Sequence, residues 1–180
     1  RELGRSLILI GEHGVGKTAL IRTALDKADP SWAVFEAGAG QLSAGAMYIG
    51  QLEARVEEVV QRLAGRRVIW VFPGFGEALF AGAYRENPTG LIDRLLPHLE
   101  RGSLRIIAEA TPDSYELLIA RRPALRSTLQ ALRLRPLDEE GTVELSRDVL
   151  AASGIRVDDD ATLRGTFDLA QQFLPGISPP

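Results

Sequence analysis

A chain of 180 residues with 45% hydrophobic and 25% charged side chains has the composition of a globular domain that builds its own core. Its formal charge of -3 creates no basic field that would draw in nucleic acid or an anionic membrane. With no cysteine, disulfides, thiolate metal sites and a cysteine nucleophile are excluded, and the two histidines, His13 and His98, lie too far apart in the chain to suggest zinc.

In chain order, Leu7 to Ile10 is a short apolar run closed by glycine, the pattern of a strand covered on both faces. From Lys17 the period changes, and Ala19, Leu20, Ala24 and Leu25 predict a helix ending near Ala28-Asp29-Pro30. Trp32 to Phe35 reads as a second strand, followed by a loop rich in Gly and Ala from Ala37 to Gly50. Leu52, Val56, Val59, Val60 and Leu63 fall on one face of a helix. Val68 to Phe72 is an uninterrupted strand ended by Pro73-Gly74, and an irregular glycine-rich stretch runs on to about Gly90. A helix over Leu91 to Leu99 leads to a buried strand, Leu104 to Ala108. Thr111 then caps a helix through Leu117, Leu118 and Ile119, and Leu132 to Leu134 reads as the last strand. From Leu137 the pattern is helical, with Asp138-Glu139-Glu140 opening a helix that carries Val143, Leu145, Val149 and Leu150.

Strands alternating with helices imply an α/β domain with a parallel five-stranded sheet and crossover helices. The expected organisation is an α/β nucleotide-binding domain over residues 1–136 and the start of a small helical unit over 137–180. No apolar run is long enough for a bilayer, and the start lacks a basic-then-apolar leader, so the expected compartment is cytoplasmic. Opening on Arg1 and stopping at Pro179-Pro180, the chain reads as a piece of something longer.

Gly11-Glu12-His13-Gly14-Val15-Gly16-Lys17-Thr18 matches the P-loop pattern at every fixed position, between an apolar strand and an amphipathic helix. Its glycines let successive N–H groups turn toward phosphate oxygens, and the following helix adds the positive end of its dipole. Residues 11–19, through Ala19, are therefore the expected binding segment for ATP or ADP, with Lys17 on the β- and γ-phosphates and Thr18 as a ligand to Mg²⁺. Lys17 is one of only two lysines, so a neighbour could not easily replace it. His13 occupies an unconstrained loop position and reads as solvent-facing.

Four stretches resemble the first ATPase domain of Clp-type ring unfoldases and disaggregases, within the AAA+ superfamily. They are Leu9 to Ala19, Ala44 to Glu53, Leu99 to Arg105, and Ala108 to Tyr115. The resemblance implies a hexameric ring that threads unfolded polypeptide through a central pore, with Tyr48 as the aromatic gripping it. Tyr48 stands between Met47 and Ile49, where the family carries basic residues. By the resemblance Thr111 falls at the family's sensor 1 position, a catalytic role compatible with capping the next helix.

The hydrolytic parts depart from that pattern. The family's third strand ends in an Asp-Glu pair that holds Mg²⁺ and orients water, and Pro73-Gly74 stands there instead. Glu77 is the nearest downstream carboxylate and the candidate substitute. The family's paired arginine fingers correspond to Ser127 and Thr128, with Arg126 adjacent and Arg121 and Arg122 upstream. Three functions stay open: an ATP-holding module impaired in hydrolysis, an active unfoldase using a substitute acid, and a nucleotide-dependent switch fused to other domains.

Overall fold

The computed structural model describes residues 5–45, 50–82, 89–157 and 159–173. The elements are β1 (Ser6–Ile10), α1 (Lys17–Asp26), β2 (Ala33–Glu36), α2 (Ala39–Ser43), α3 (Gln51–Leu63) and β3 (Val68–Phe72). A 3-10 turn (Phe75–Leu79) precedes α4 (Leu91–Glu100), β4 (Ile106–Ala110), α5 (Pro112–Arg121), α6 (Leu125–Thr128), β5 (Leu129–Arg133), α7 (Glu139–Ala152) and α8 (Asp160–Phe173). They form two compact units: a sheet unit, made of the chain up to Ile10 together with Lys17–Arg133, and a helical unit, made of Gly11–Gly16 and the chain from Leu134 on.

The sheet is five-stranded and parallel throughout, in the order β2-β3-β4-β1-β5. Parallel register brings the C-terminal ends of neighbouring strands to one edge, the edge where ligands of open α/β sheets bind. β4 lies between β1 and β3, with Leu9 opposite Glu109, Ile10 opposite Ala110 and Phe72 opposite Ala108. β3 is apolar along its length because both faces are covered: Ile69, Trp70, Val71 and Phe72 are all buried. The Trp70 indole N–H donates to the Ala37 carbonyl at 2.8 Å, so the largest core side chain buries no unpaired donor. Phe35, Trp70, Phe72 and Phe75 form a row with successive ring centroids 5.5, 5.4 and 5.1 Å apart.

Helices cover this core through stripes set by the helical period. α3 buries Leu52, Val56 and Val60, with Val59 and Leu63 packed partly against them. α4 buries Leu91, Ile92, Leu95 and Leu99. Asp93, in the first turn of α4, accepts from the Gly90 N–H at 3.0 Å and satisfies a donor the helix leaves open.

Three expectations shift. β4 runs over 106–110 rather than 104–108, continuing through a carboxylate at Glu109. β5 runs over 129–133 rather than 132–134; it is an edge strand with only its first residue buried, so apolar content does not mark it. In α1 the buried residue is Ile21, whereas Leu20 and Ala24 of the expected stripe are exposed. The irregular stretches also hold short elements, α2, the 3-10 turn and α6, that periodicity is too coarse to reveal.

In the helical unit, Asp138 caps α7 by accepting from Gly141 N–H at 2.8 Å. Arg147–Asp160 and Arg164–Glu139 ion pairs join α7 to α8 over buried Thr142, Val143 and Leu163. Gly11–Gly16 clusters with this unit, while Lys17 and Thr18 open α1 of the sheet unit. No helix among the described residues is long and apolar enough to cross a membrane.

Candidate nucleotide site

The phosphate-binding segment begins where β1 ends. Gly11 is buried, and a Cβ there would lie 2.7 Å from Val15 Cγ1 and 3.3 Å from the Leu134 carbonyl oxygen, so only glycine fits. Gly14 and Gly16 have φ of 91° and 87°, a region that side-chain-bearing residues enter only with strain. Between them Val15 is buried, and its N–H meets the Glu12 carbonyl at 3.4 Å. Glu12, His13 and Ala19 are exposed. The segment feeds into α1 at Lys17, where the helix presents the positive end of its dipole.

Thr18 is exposed, yet its hydroxyl is held from below. Oγ1 lies 3.0 Å from each oxygen of Glu109, a carboxylate buried near the C-terminal end of β4. A hydroxyl has one hydrogen to donate and two lone pairs to offer, so donation to Glu109 leaves the lone pairs for a cation. Within the sheet unit, a helix start and an exposed hydroxyl backed by an acid fit phosphate and metal; within Gly11–Gly16, the glycines are too crowded or too twisted for a side chain. Lys17 and Thr18 would hold the phosphates and Mg²⁺, which neutralises phosphate charge when bound.

Thr111 caps α5. Ser114 N–H donates to Thr111 Oγ1 at 3.3 Å, while Ser114 Oγ lies 2.9 Å from the Thr111 N–H. Only Ala110 separates it from Glu109, so one short stretch of chain brings both to the same strand end. Glu77 stands apart from this arrangement. It is exposed in the 3-10 turn with its carboxylate folded back over Gly74, where an added Cβ would come within 3.0 Å of Oε1. Pro73-Gly74 follows β3 directly, and the Pro73 carbonyl oxygen would sit 2.8 Å from a Cβ added at Gly38. Tyr48 lies outside the described residues.

Of the arginines, Arg122 is committed within its own chain. Its Nε and Nη2 donate to the two oxygens of Asp93, the latter at 2.7 Å, and both side chains are largely covered. The guanidinium, first, and then the Gly90 N–H hold the Asp93 carboxyl below its ordinary range against the opposing effect of burial, while Asp93 raises Arg122 further. Arg126 and Ser127 are exposed, whereas Thr128 is buried with its hydroxyl on the Ala124 carbonyl. Sequence reasoning missed Glu109, although one carboxylate inside Ile106-Ile107-Ala108-Glu109-Ala110 is a signal: a charge in an apolar strand needs a partner.

A model of the AAA ATPase domain matches residues 1–174. The chain belongs to this family. Within it, the AAA ATPase domain described here is of Clp type. It is 30% identical over 93% of its length to the chaperone protein ClpB of Porphyromonas gingivalis. It is 25% identical, again over 93%, to the Clp protease ATP-binding subunit ClpL of Staphylococcus aureus. The chain spans 21% and 26% of those relatives. Among solved structures, it superposes over its whole length on an Hsp104 complex with ATPγS and FITC casein, with a TM-score of 0.72, 25% identity and 33% of that chain covered. The Saccharomyces cerevisiae Hsp104–ADP complex has the same fold, with a TM-score of 0.77, 24% identity and 27% of that chain covered.

Proposed function

We propose that this AAA ATPase domain binds ATP and ADP with Mg²⁺ as one module of a longer, ring-forming Clp-type protein, and that it hydrolyses ATP poorly. The observation that carries the reading is an asymmetry. The phosphate segment is built for its task, with Gly14 and Gly16 in conformations that favour glycine and Thr18 presented at a helix start, while Pro73-Gly74 replaces the acidic pair. Binding needs the former; turnover needs the latter as well.

In this reading Lys17 neutralises the β- and γ-phosphates, the N–H groups of residues 11–19 receive phosphate oxygens, and Thr18 takes the metal. Thr111 stands at the family's sensor position at the start of α5, and α7 and α8 correspond to the start of the family's small helical lid. Hexamer formation, a grip on unfolded polypeptide through Tyr48 and a cytoplasmic location rest on likeness to ClpB, ClpL and Hsp104 with FITC casein. Bound nucleotide then acts as a structural ligand or an assembly switch, stabilising the fold by about 2.7 kcal/mol at a hundredfold excess over Kd.

Calorimetry with ADP and a phosphate-release assay test this together. The native chain is expected to bind ADP and Lys17→Ala to lose most of that affinity, with phosphate release near background in both. Release well above background that disappears in Glu77→Ala would instead make this an active ATPase with Glu77 as its substitute acid.

A further inference from the structure

We propose that Glu109 is the acid that positions Mg²⁺ in this domain, acting through Thr18 from β4 in place of the missing carboxylate at the end of β3. The proposal rests on the nucleotide-binding reading above and assigns the metal side of that same site.

Among the described residues Glu109 is the only buried carboxylate, with Ala108 and Ala110 buried on either side of it. Removing a carboxylate from water costs several kcal/mol unless donors or a cation compensate. What meets it is Thr18 Oγ1, 3.0 Å from both Oε1 and Oε2. One hydroxyl hydrogen cannot saturate two carboxylate oxygens, so the acid retains capacity to accept from further donors, such as metal-bound water. Drawing the Thr18 proton inward has a second effect: the oxygen lone pairs, turned away from Glu109, become a better ligand for a hard cation.

Position supports the assignment. Glu109 pairs with Leu9, one residue before Ile10 leads into the phosphate segment, and on its other side it lies one residue past the Phe72–Ala108 pair. An acid at the end of β3 and an acid here therefore share one sheet edge. They differ by a single strand spacing, about 4.8 Å, and the shift is toward β1. Glu77, by contrast, is exposed over Gly74. A single carboxylate engaged with Thr18 replaces the metal-binding member of the missing pair and leaves the water-orienting member absent. Mg²⁺ binding persists while hydrolysis stays slow.

A purely structural tether between α1 and β4 would also explain the Thr18 contact, and metal dependence separates the two. The whole chain is titrated with ADP by calorimetry in EDTA and again in excess MgCl₂, and the ratio of the two affinities is the Mg²⁺-dependent gain. Glu109→Gln is expected to keep its EDTA affinity within about twofold and to lose about tenfold or more of the gain, as when a group behind a metal ligand is removed. Glu109→Asp, which keeps the charge but retracts it from Thr18, is the second variant should the amide not fold; its gain is expected to fall below that of the native chain. An unchanged gain in either folded variant, or equal losses with and without Mg²⁺, overturns the proposal and leaves nucleotide binding standing. A native chain that binds no ADP in either buffer sinks the nucleotide reading and this assignment with it.

Discussion

Replacing Arg122 with alanine isolates the ion pair that fastens the end of α5 to the start of α4. In the folded chain Arg122 places two donors on Asp93, whose carboxylate also accepts from Gly90 N–H, and the two side chains are 30% and 23% exposed. Hydrogen bonds to charged groups contribute about 1.5–3 kcal/mol, and the partial exposure of this pair argues for about 2 kcal/mol. For a chain of 180 residues that corresponds to a fall in Tm of about 4–8 °C. The sign of the pH dependence follows from Asp93. Its folded-state carboxyl is held below the ordinary value, mainly by Arg122, so the stabilisation is present above the unfolded pKa of about 3.9 and is lost as pH falls through the folded value. Thermal melts by circular dichroism at pH 7 should show the full deficit in Arg122→Ala, and melts near pH 3 a smaller one. ADP affinity should be unchanged, because Arg122 is spent on its own chain. A deficit of the same size at every pH, or none at pH 7, would refute this account.

Trp70→Phe should lower stability by about 1–3 kcal/mol, because the Ala37 carbonyl loses its buried donor; a urea midpoint equal to that of the native chain would count against it. Gly76→Ala would place a Cβ 2.6 Å from Ser114 Cβ, so the 3-10 turn and the cap at Thr111 cannot both keep their positions. The expected cost is about 1–3 kcal/mol in a thermal melt, and wild-type stability would show that the turn yields freely.

The best-read segments were those in which local pattern and long-range environment agree. β3 was legible because Val68 to Phe72 is apolar at every position and Pro73 stops it, which is what burial on both faces requires. The start of α5 was legible from Thr111-Pro112, a cap followed by proline in the first turn. β5 was misplaced because an edge strand needs main-chain pairing with β1 more than apolar side chains, and Gln130 and Arg133 hide it. β4 runs past its purely apolar stretch for a related reason. A glutamate reads as the end of an apolar strand, and the hydroxyl that accompanies Glu109 lies 91 residues away at Thr18. No window along the chain contains both halves of that contact. The phosphate segment was the opposite case, since all its special residues are consecutive.

The turn after β3 sets what an acidic side chain placed there would meet. Gly74 has φ of 59°, in the left-handed region where a side chain costs about 1–2 kcal/mol, and the Pro73 carbonyl is already packed against Gly38. Phe75, the next residue, is fully buried at the end of the aromatic row. An acidic residue at position 74 would therefore carry that backbone cost beside a buried aromatic ring. The backbone leaves the sheet along a route chosen for proline and glycine, and the core has closed around it. A side chain at 74 would also meet the Glu77 carboxylate, whose Oε1 lies 3.0 Å from the Cβ position, so an acid placed there faces a like charge.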